Sequence, residues 1–237
     1  MERLPLLISS PHAGLSVPDE LAGLNRLTHR EIAEDGDHGA REIYAILKTE
    51  VTHFVTSDVA RAFVDLNRAE DDIRKDGVVK THTCWDVPVY NRALGPELVE
   101  TLLARYHRPY HERLSGLANR GVVLGVDCHT MAAVGPPVGP DAGRARPQVC
   151  LGNADGTCPA DWMDKLHICF QAHFPGEVSV NRPFSGGYIT RFHGREMPWV
   201  QLELSRGDFA DNAEKSLWVL ESLNEWVRMT GLLNRPA

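Results

Sequence analysis

The chain has 237 residues, 43% of them hydrophobic and 24% charged, a composition suited to a globular protein with a sizeable core. Its formal net charge of -7 argues against a nucleic-acid partner, because phosphate binding needs a basic face; a few clustered arginines can still bind a small anion. No apolar run approaches the roughly 20 residues that cross a bilayer, and Met1-Glu2-Arg3-Leu4-Pro5 lacks the long apolar segment of a signal peptide. No membrane partner and a cytoplasmic location are therefore expected. The five cysteines (84, 128, 150, 158 and 169) are odd in number and show no CxxC spacing, which favours reduced thiols over disulfides.

Neither a repeat nor an obvious linker interrupts the chain, so one domain spanning 1–237 is expected. Taken in order, the first predicted strand, 4–9, runs Leu6-Leu7-Ile8 into Ser9-Ser10 and ends at Pro11-His12-Ala13-Gly14. A helical stretch then opens on Thr28-His29-Arg30-Glu31, the spacing of a capping box, with Ile32, Ile43, Ile46 and Leu47 as an intermittent apolar stripe. Strands are predicted at 52–58 and 62–66, followed by a helix over 95–119 interrupted by Pro109. The run Val122-Val123-Leu124-Gly125-Val126 predicts a buried strand over 121–127 that delivers Asp127-Cys128-His129-Thr130 at its carboxyl end. Residues 135–143, rich in proline and glycine, read as a loop or lid over whatever His129 serves. Strands at 147–151, 177–181 and 198–204 alternate with helices over 160–173 and 211–230. The last helix places Leu217, Leu220, Leu223, Trp226 and Val227 on one side, to pack on a sheet face. This alternation predicts an α/β fold with a parallel or mixed sheet covered on both sides.

Two strands that each end in a histidine suggest a metal site, since open α/β sheets carry their chemistry at the carboxyl ends of strands. A catalytic zinc takes three nitrogen or oxygen ligands and leaves one position open. His12 and His129 are the candidate imidazoles, Asp127 is a candidate supporting group, and Asp35-Gly36-Asp37-His38 offers several choices of carboxylate. In Trp199-Val200-Gln201-Leu202-Glu203-Leu204-Ser205, Gln201 and Glu203 share a strand face; Glu203 is either a general base or a salt-bridged acid on an edge strand. Arg61, Asn67 and Arg68 form a candidate carboxylate clamp, with a solvated loop as the alternative. Tyr188 and Arg191 follow Gly186-Gly187 and are candidate substrate contacts, although a hairpin turn also explains the glycines. His107 and His111 flank Pro109; packing suits them better than a second metal site.

In order along the chain, these segments resemble the N-formylglutamate amidohydrolase (N-formylglutamate deformylase) family. The likeness rests on Pro11-His12-Ala13-Gly14 with Val17-Pro18, Asp35-Gly36-Asp37 with Tyr44, Val64-Asp65-Leu66-Asn67-Arg68 and Pro109-Tyr110-His111. It continues through Asp127-Cys128-His129-Thr130, Cys150-Leu151-Gly152, Gly186-Gly187-Tyr188-Ile189-Thr190-Arg191 and Gln201-Leu202-Glu203-Leu204. The chain differs from the family pattern at His38 in place of a tryptophan, at Arg191-Phe192-His193-Gly194, and at Phe209-Ala210-Asp211-Asn212 in place of a Tyr-Met-Asp/Glu ending.

The resemblance implies a three-layer α/β/α fold with a mixed central sheet, phosphorylase/hydrolase-like and similar to zinc carboxypeptidase-like deacylases. It also implies one zinc ion, or another divalent metal in its place, held by His12, Asp37 and His129, with Glu203 as general base. Arg61, Asn67 and Arg68 become the carboxylate-binding groups and Tyr188 and Arg191 further substrate contacts. The implied substrate is a small anionic N-acyl amino acid, N-formylglutamate in the family, acted on by a monomer or small homo-oligomer. A zinc carboxypeptidase or peptide-fragment amidase on the same fold is the alternative, which comparison of N-formylglutamate with short peptides would separate. A non-catalytic binding protein is the third reading, which metal analysis would separate.

Overall fold

The computed structural model describes residues 3–136 and 141–232. Its strands are β1 (Leu4–Ser10), β2 (Val51–Thr56), β3 (Leu124–Met131), β4 (Val149–Gly152), β5 (Val178–Val180) and β6 (Trp199–Ser205). They form one sheet in the order β2-β1-β3-β6-β4-β5. The first four in that order are mutually parallel, β4 runs antiparallel to β6, and β5 is parallel to β4, so the sheet is mixed. The helices are α1 (His29–Asp35), α2 (Ala40–Ile43), α3 (Leu47–Glu50), α4 (Pro96–Leu102), α5 (Arg108–Leu117), α6 (Ala160–His173), α7 (Tyr188–His193) and α8 (Asn212–Thr230). None is long and apolar enough to cross a membrane.

Strand alternation divides the core into two layers. Leu124, Val126 and Cys128 of β3 and Val200, Leu202 and Leu204 of β6 pack with α6 and α8 through Met163, Leu166, Phe170, Val219, Leu223 and Trp226. The opposite face carries Leu7 and Trp199, covered by Phe63, Leu102, Tyr110, Leu114 and Ile189. The even-numbered β3 and β6 residues serve the first layer, so Asp127, His129, Gln201 and Glu203 all point to the second. Gly125 lies opposite Trp199 in the β3–β6 register, and a Cβ there would sit 2.2 Å from the indole.

Several expectations are corrected. The chain over 62–66 is no strand: Phe63 and Val64 donate to the Ala60 carbonyl in a tight turn, and Val64 joins only an isolated bridge to Val79. Its apolar side chains are buried all the same, and a short apolar run reads alike for a strand and a buried turn. The capping box at Thr28 and Glu31 forms, but its helix stops at Gly36 and resumes as two single turns, so Asp35 is the last residue of α1. The helix over 95–119 is not cut at Pro109. A wider turn over Leu103–His107 shifts the hydrogen-bonding just ahead of the proline and joins α4 to α5. On α8, Leu217 is exposed, and Val219 is buried with Leu223, Trp226 and Val227.

Gly125→Ala is expected to lower the unfolding free energy by about 1–3 kcal/mol, because the added methyl overpacks the indole. Urea unfolding followed by tryptophan fluorescence measures the change.

Candidate metal centre and catalytic cleft

Parallel β1, β3 and β6 end at the same edge of the sheet, and the candidate residues gather there. His12 follows β1, His129 lies within the last turn-side residues of β3 rather than after the strand, and Glu203 is the register partner of His129 on β6. Asp37 comes from the gap between α1 and α2. There its backbone N–H donates to the His12 carbonyl (3.3 Å) and its Oδ2 accepts from the Thr130 N–H (3.2 Å). Asp37 Oδ2 lies 2.9 Å from His129 Nδ1 and 3.5 Å from His12 Nδ1. One donor atom from each of His12, Asp37 and His129 lies within 4.8 Å of the other two, and all three residues are buried.

A second carboxylate stands behind each imidazole. Asp65 Oδ1 is 2.8 Å from His12 Nε2, and Asp127 Oδ2 is 2.8 Å from His129 Nε2. A carboxylate at Nε2 holds the proton on that nitrogen and leaves Nδ1 free as a donor to a metal. Asp65 is itself fixed by Arg61 Nε (3.0 Å) and by the Asn67 backbone N–H (2.9 Å), and Asp127 accepts from Ser9 (3.0 Å). Burial works against ionisation of Asp37 and Asp65, yet His12 and its neighbours hold both below the usual carboxylate range. Burial likewise opposes charge on His129, and Asp127 and Asp37 reverse that effect and raise it.

Asp37, Asp65, Asp127 and Glu203 thus converge as buried acids with Arg61 as the cation beside them. With neutral imidazoles this is an excess of buried negative charge, and a divalent cation at the Nδ1–Oδ2–Nδ1 group would balance it. Two nitrogens and one carboxylate oxygen, with room left over, form a donor set that suits catalytic zinc.

The cleft beside this centre has a volume of about 710 Å³ and is walled by His12, Asp37, Arg61, Asn67, Arg68, His129, Gln201 and Glu203 among others. Glu203 sits on an interior strand, which removes the edge-strand reading. Gln201 Nε2 donates to its Oε1 at 2.8 Å, and burial pushes its carboxyl up to about 7. The Gly186-Gly187 pair is not a hairpin. Gly187 precedes α7 and donates its N–H to Gln201 Oε1, and a Cβ there would fall 2.2 Å from the Asn67 amide.

Asn67 also accepts from the Ile189 N–H (2.8 Å), which ties the 65–68 segment to α7. Tyr188 and Arg191 do not reach the cleft wall: Tyr188 packs 5.2 Å from the His111 ring, and Arg191 braces the loop by donating to Gly186 O and Ser185 Oγ. Of the 135–143 loop, Pro136 lines the cleft and Gly135 and Gly143 close its base; residues 137–140 lie outside the described residues.

Residues 4–209 match the family model described as N-formylglutamate amidohydrolase. The chain belongs to this family. It is 29% identical to the N-formylglutamate deformylase of Pseudomonas putida over 90% of the chain and 84% of that protein. To the enzyme of the same name from Pseudomonas aeruginosa it is 31% identical over 95% of each. The crystal structure of N-formylglutamate amidohydrolase from Ralstonia eutropha JMP134 shares the fold at a TM-score of 0.78, with 20% identity over 98% of this chain and 95% of that one. An Agrobacterium tumefaciens gene product shares it at 0.75, with 14% identity over 95% and 90%. This amidohydrolase is therefore an enzyme that hydrolyses an amide.

Three features of the amidohydrolase site escape inspection of the sequence. Asp65 is a buried partner of His12, hidden inside a segment that reads as an arginine clamp. Asp35 is separated from Asp37 by its partner: its carboxylate takes Lys80 Nζ at 3.0 and 2.9 Å, and neither residue has any exposed side chain. Lys80 stands in no motif, so nothing marks it. Finally, His107 Nε2 donates to Arg68 O (2.9 Å) and His111 Nε2 to Leu66 O (3.0 Å), gripping the carbonyls on either side of Asn67. His193 Nε2 backs His111 Nδ1 at 2.9 Å, so these histidines position the loop rather than bind a metal.

Asp65→Asn is expected to weaken the affinity of the candidate centre for added divalent metal by about 10–100-fold through loss of support at His12, as measured by competitive titration with a chromogenic chelator. Lys80→Met should cost about 3–5 kcal/mol by stranding the buried Asp35 carboxylate, and Asp35→Leu in the same chain should recover most of it, as read from urea unfolding.

Proposed function

We propose that this amidohydrolase is zinc-dependent and removes the acyl group from a small acidic N-acyl amino acid, N-formylglutamate first among them. The products are a carboxylate, here formate, and the free amino acid. The observation that carries the reading is the adjacency of the His12–Asp37–His129 donor group to Glu203 across the β3–β6 register. The names of the Pseudomonas relatives support the substrate.

His12, Asp37 and His129 would hold the ion, which when bound supplies Lewis-acid polarisation and a more acidic water. Glu203 carries the proton. Gln201 occupies its Oε1, and Oε2 accepts a proton from water as the new C–O bond forms at the amide carbon. The same oxygen returns the proton to nitrogen as the C–N bond breaks. Burial raises the Glu203 carboxyl, and a cation held beside it would favour the ionised form that accepts the proton. Arg61 and Arg68 line the wall on the Asn67 side and supply positive charge for the substrate carboxylate. The reading places the enzyme in the cytoplasm, where its five free cysteines need no bridge.

Glu203→Gln is expected to retain stoichiometric zinc and lose about 10²–10⁴-fold in kcat for formate release from N-formylglutamate. Metal analysis and a coupled formate assay on the same preparation measure both. Turnover at the parental rate would remove Glu203 from this role.

A further inference from the structure

Among the described residues, the cleft wall carries Arg61, Arg68, Lys75, Arg146 and Arg206 as its cationic side chains. Four of these are already paired. Arg61 is held by Asp65, Arg68 lies near Asp65, Asp72 and Asp76, and Lys75 is 3.5 Å from Asp86. Arg146 makes a two-pronged pair with Asp141 at 2.7 and 2.9 Å and lies over the Phe184 ring. Arg206 has no carboxylate partner among the described residues; its guanidinium makes one long contact, 3.5 Å, to the Gly36 carbonyl.

Its backbone, by contrast, is anchored. The Arg206 N–H donates to Met131 O at 2.9 Å, which extends the β3–β6 ladder beyond Ser205, and Glu203 lies three positions earlier on the same strand. Arg61 Nη1 donates to the Asp35 carbonyl at 3.3 Å, so the two guanidiniums flank the Asp35-Gly36 backbone, one engaged and one open. A guanidinium on a rigid strand end, facing a cleft and lacking a protein anion, is a receptor for a ligand carboxylate.

We propose that Arg206 is the specificity-determining residue that binds the side-chain carboxylate of the acyl amino acid, so that dicarboxylic substrates are preferred over their amides. The inference rests on the deacylase reading above. The α-carboxylate, which every N-acyl amino acid carries, falls to Arg68, whose ion pairs are loose at 3.7–4.0 Å, with Arg61 adding charge beside it while it holds Asp65. Arg206 reads the second charge, which only acidic side chains carry. Loss of a charge-assisted pair made equally in ground and transition states falls on KM more than on kcat.

The test compares N-formylglutamate with N-formylglutamine, and measures glutarate binding by calorimetry, in the parent enzyme, Arg206→Met and Arg206→Lys. The expected result is that the kcat/KM preference for glutamate over glutamine falls about 10- to 100-fold in Arg206→Met, mainly through KM, and less in Arg206→Lys. Glutarate should bind correspondingly more weakly. Equal loss on both substrates, or an unchanged preference with unchanged glutarate affinity, would overturn the assignment. A parent enzyme that hydrolyses neither substrate would overturn the deacylase reading instead, and the glutarate measurement would still decide whether Arg206 binds a dianion.

Discussion

A carboxylate buried between two imidazoles makes the demand on which the rest of this structure depends. Asp37 cannot sit there as an isolated charge in a dry interior, and its neighbours answer that in layers. His12 and His129 face it through Nδ1, and Asp65 and Asp127 stand behind them. Arg61 and the Asn67 N–H then hold Asp65. With both imidazoles neutral, the carboxylates Asp37, Asp65 and Asp127 outnumber Arg61, the guanidinium bonded to Asp65. A proton on His129, which Asp127 and Asp37 favour, or a cation at the Nδ1–Oδ2–Nδ1 group would offset that charge, and this links the fold to its proposed chemistry.

The backbone bends to serve this centre. The helix begun at Thr28 stops at Gly36 so that Asp37 can turn inward, and the acid just before it is diverted to Lys80. Parallel β1, β3 and β6 bring His12, His129 and Glu203 to one sheet edge. The antiparallel β4 contributes in the opposite sense: its amino end lies at that edge, so Arg146 and the base of the 135–143 loop border the cleft. Gly125 beneath Trp199 and Gly187 beside Asn67 mark the places where packing leaves no room for a side chain.

The elements with a clear period, β1, β3, β6, α6 and α8, could be read from the residues, because apolar alternation and helical stripes follow directly from which face is buried. So could the histidines at strand ends and Glu203 on its strand face. The turn over 62–66 could not, since Ala62, Phe63, Val64 and Leu66 are as apolar as any strand and are buried by a different backbone path. Asp65, Lys80 and Arg206 share another difficulty. Their meaning lies in a partner, present or missing, that is remote in sequence, and no local pattern records it. Tyr188 and Arg191 show the converse: they stand in a clear motif, yet Tyr188 packs on His111 and Arg191 braces its own loop, both outside the cleft wall.

Both histidines turn Nδ1, the ring nitrogen nearer the backbone, towards Asp37. That atom hangs from Cγ, as the amide oxygen of an asparagine does, so the reach of this site is that of a short side chain and a glutamine would overshoot towards Asp65 or Asp127. An asparagine at either place would keep an acceptor where a metal would need one. It would exchange a borderline-soft nitrogen for a hard oxygen, and asparagines at both places would give an all-oxygen donor set, which suits magnesium or calcium better than zinc. The sheet thus sets where the donor group sits, and the imidazole rings set which kind of ion that group would favour.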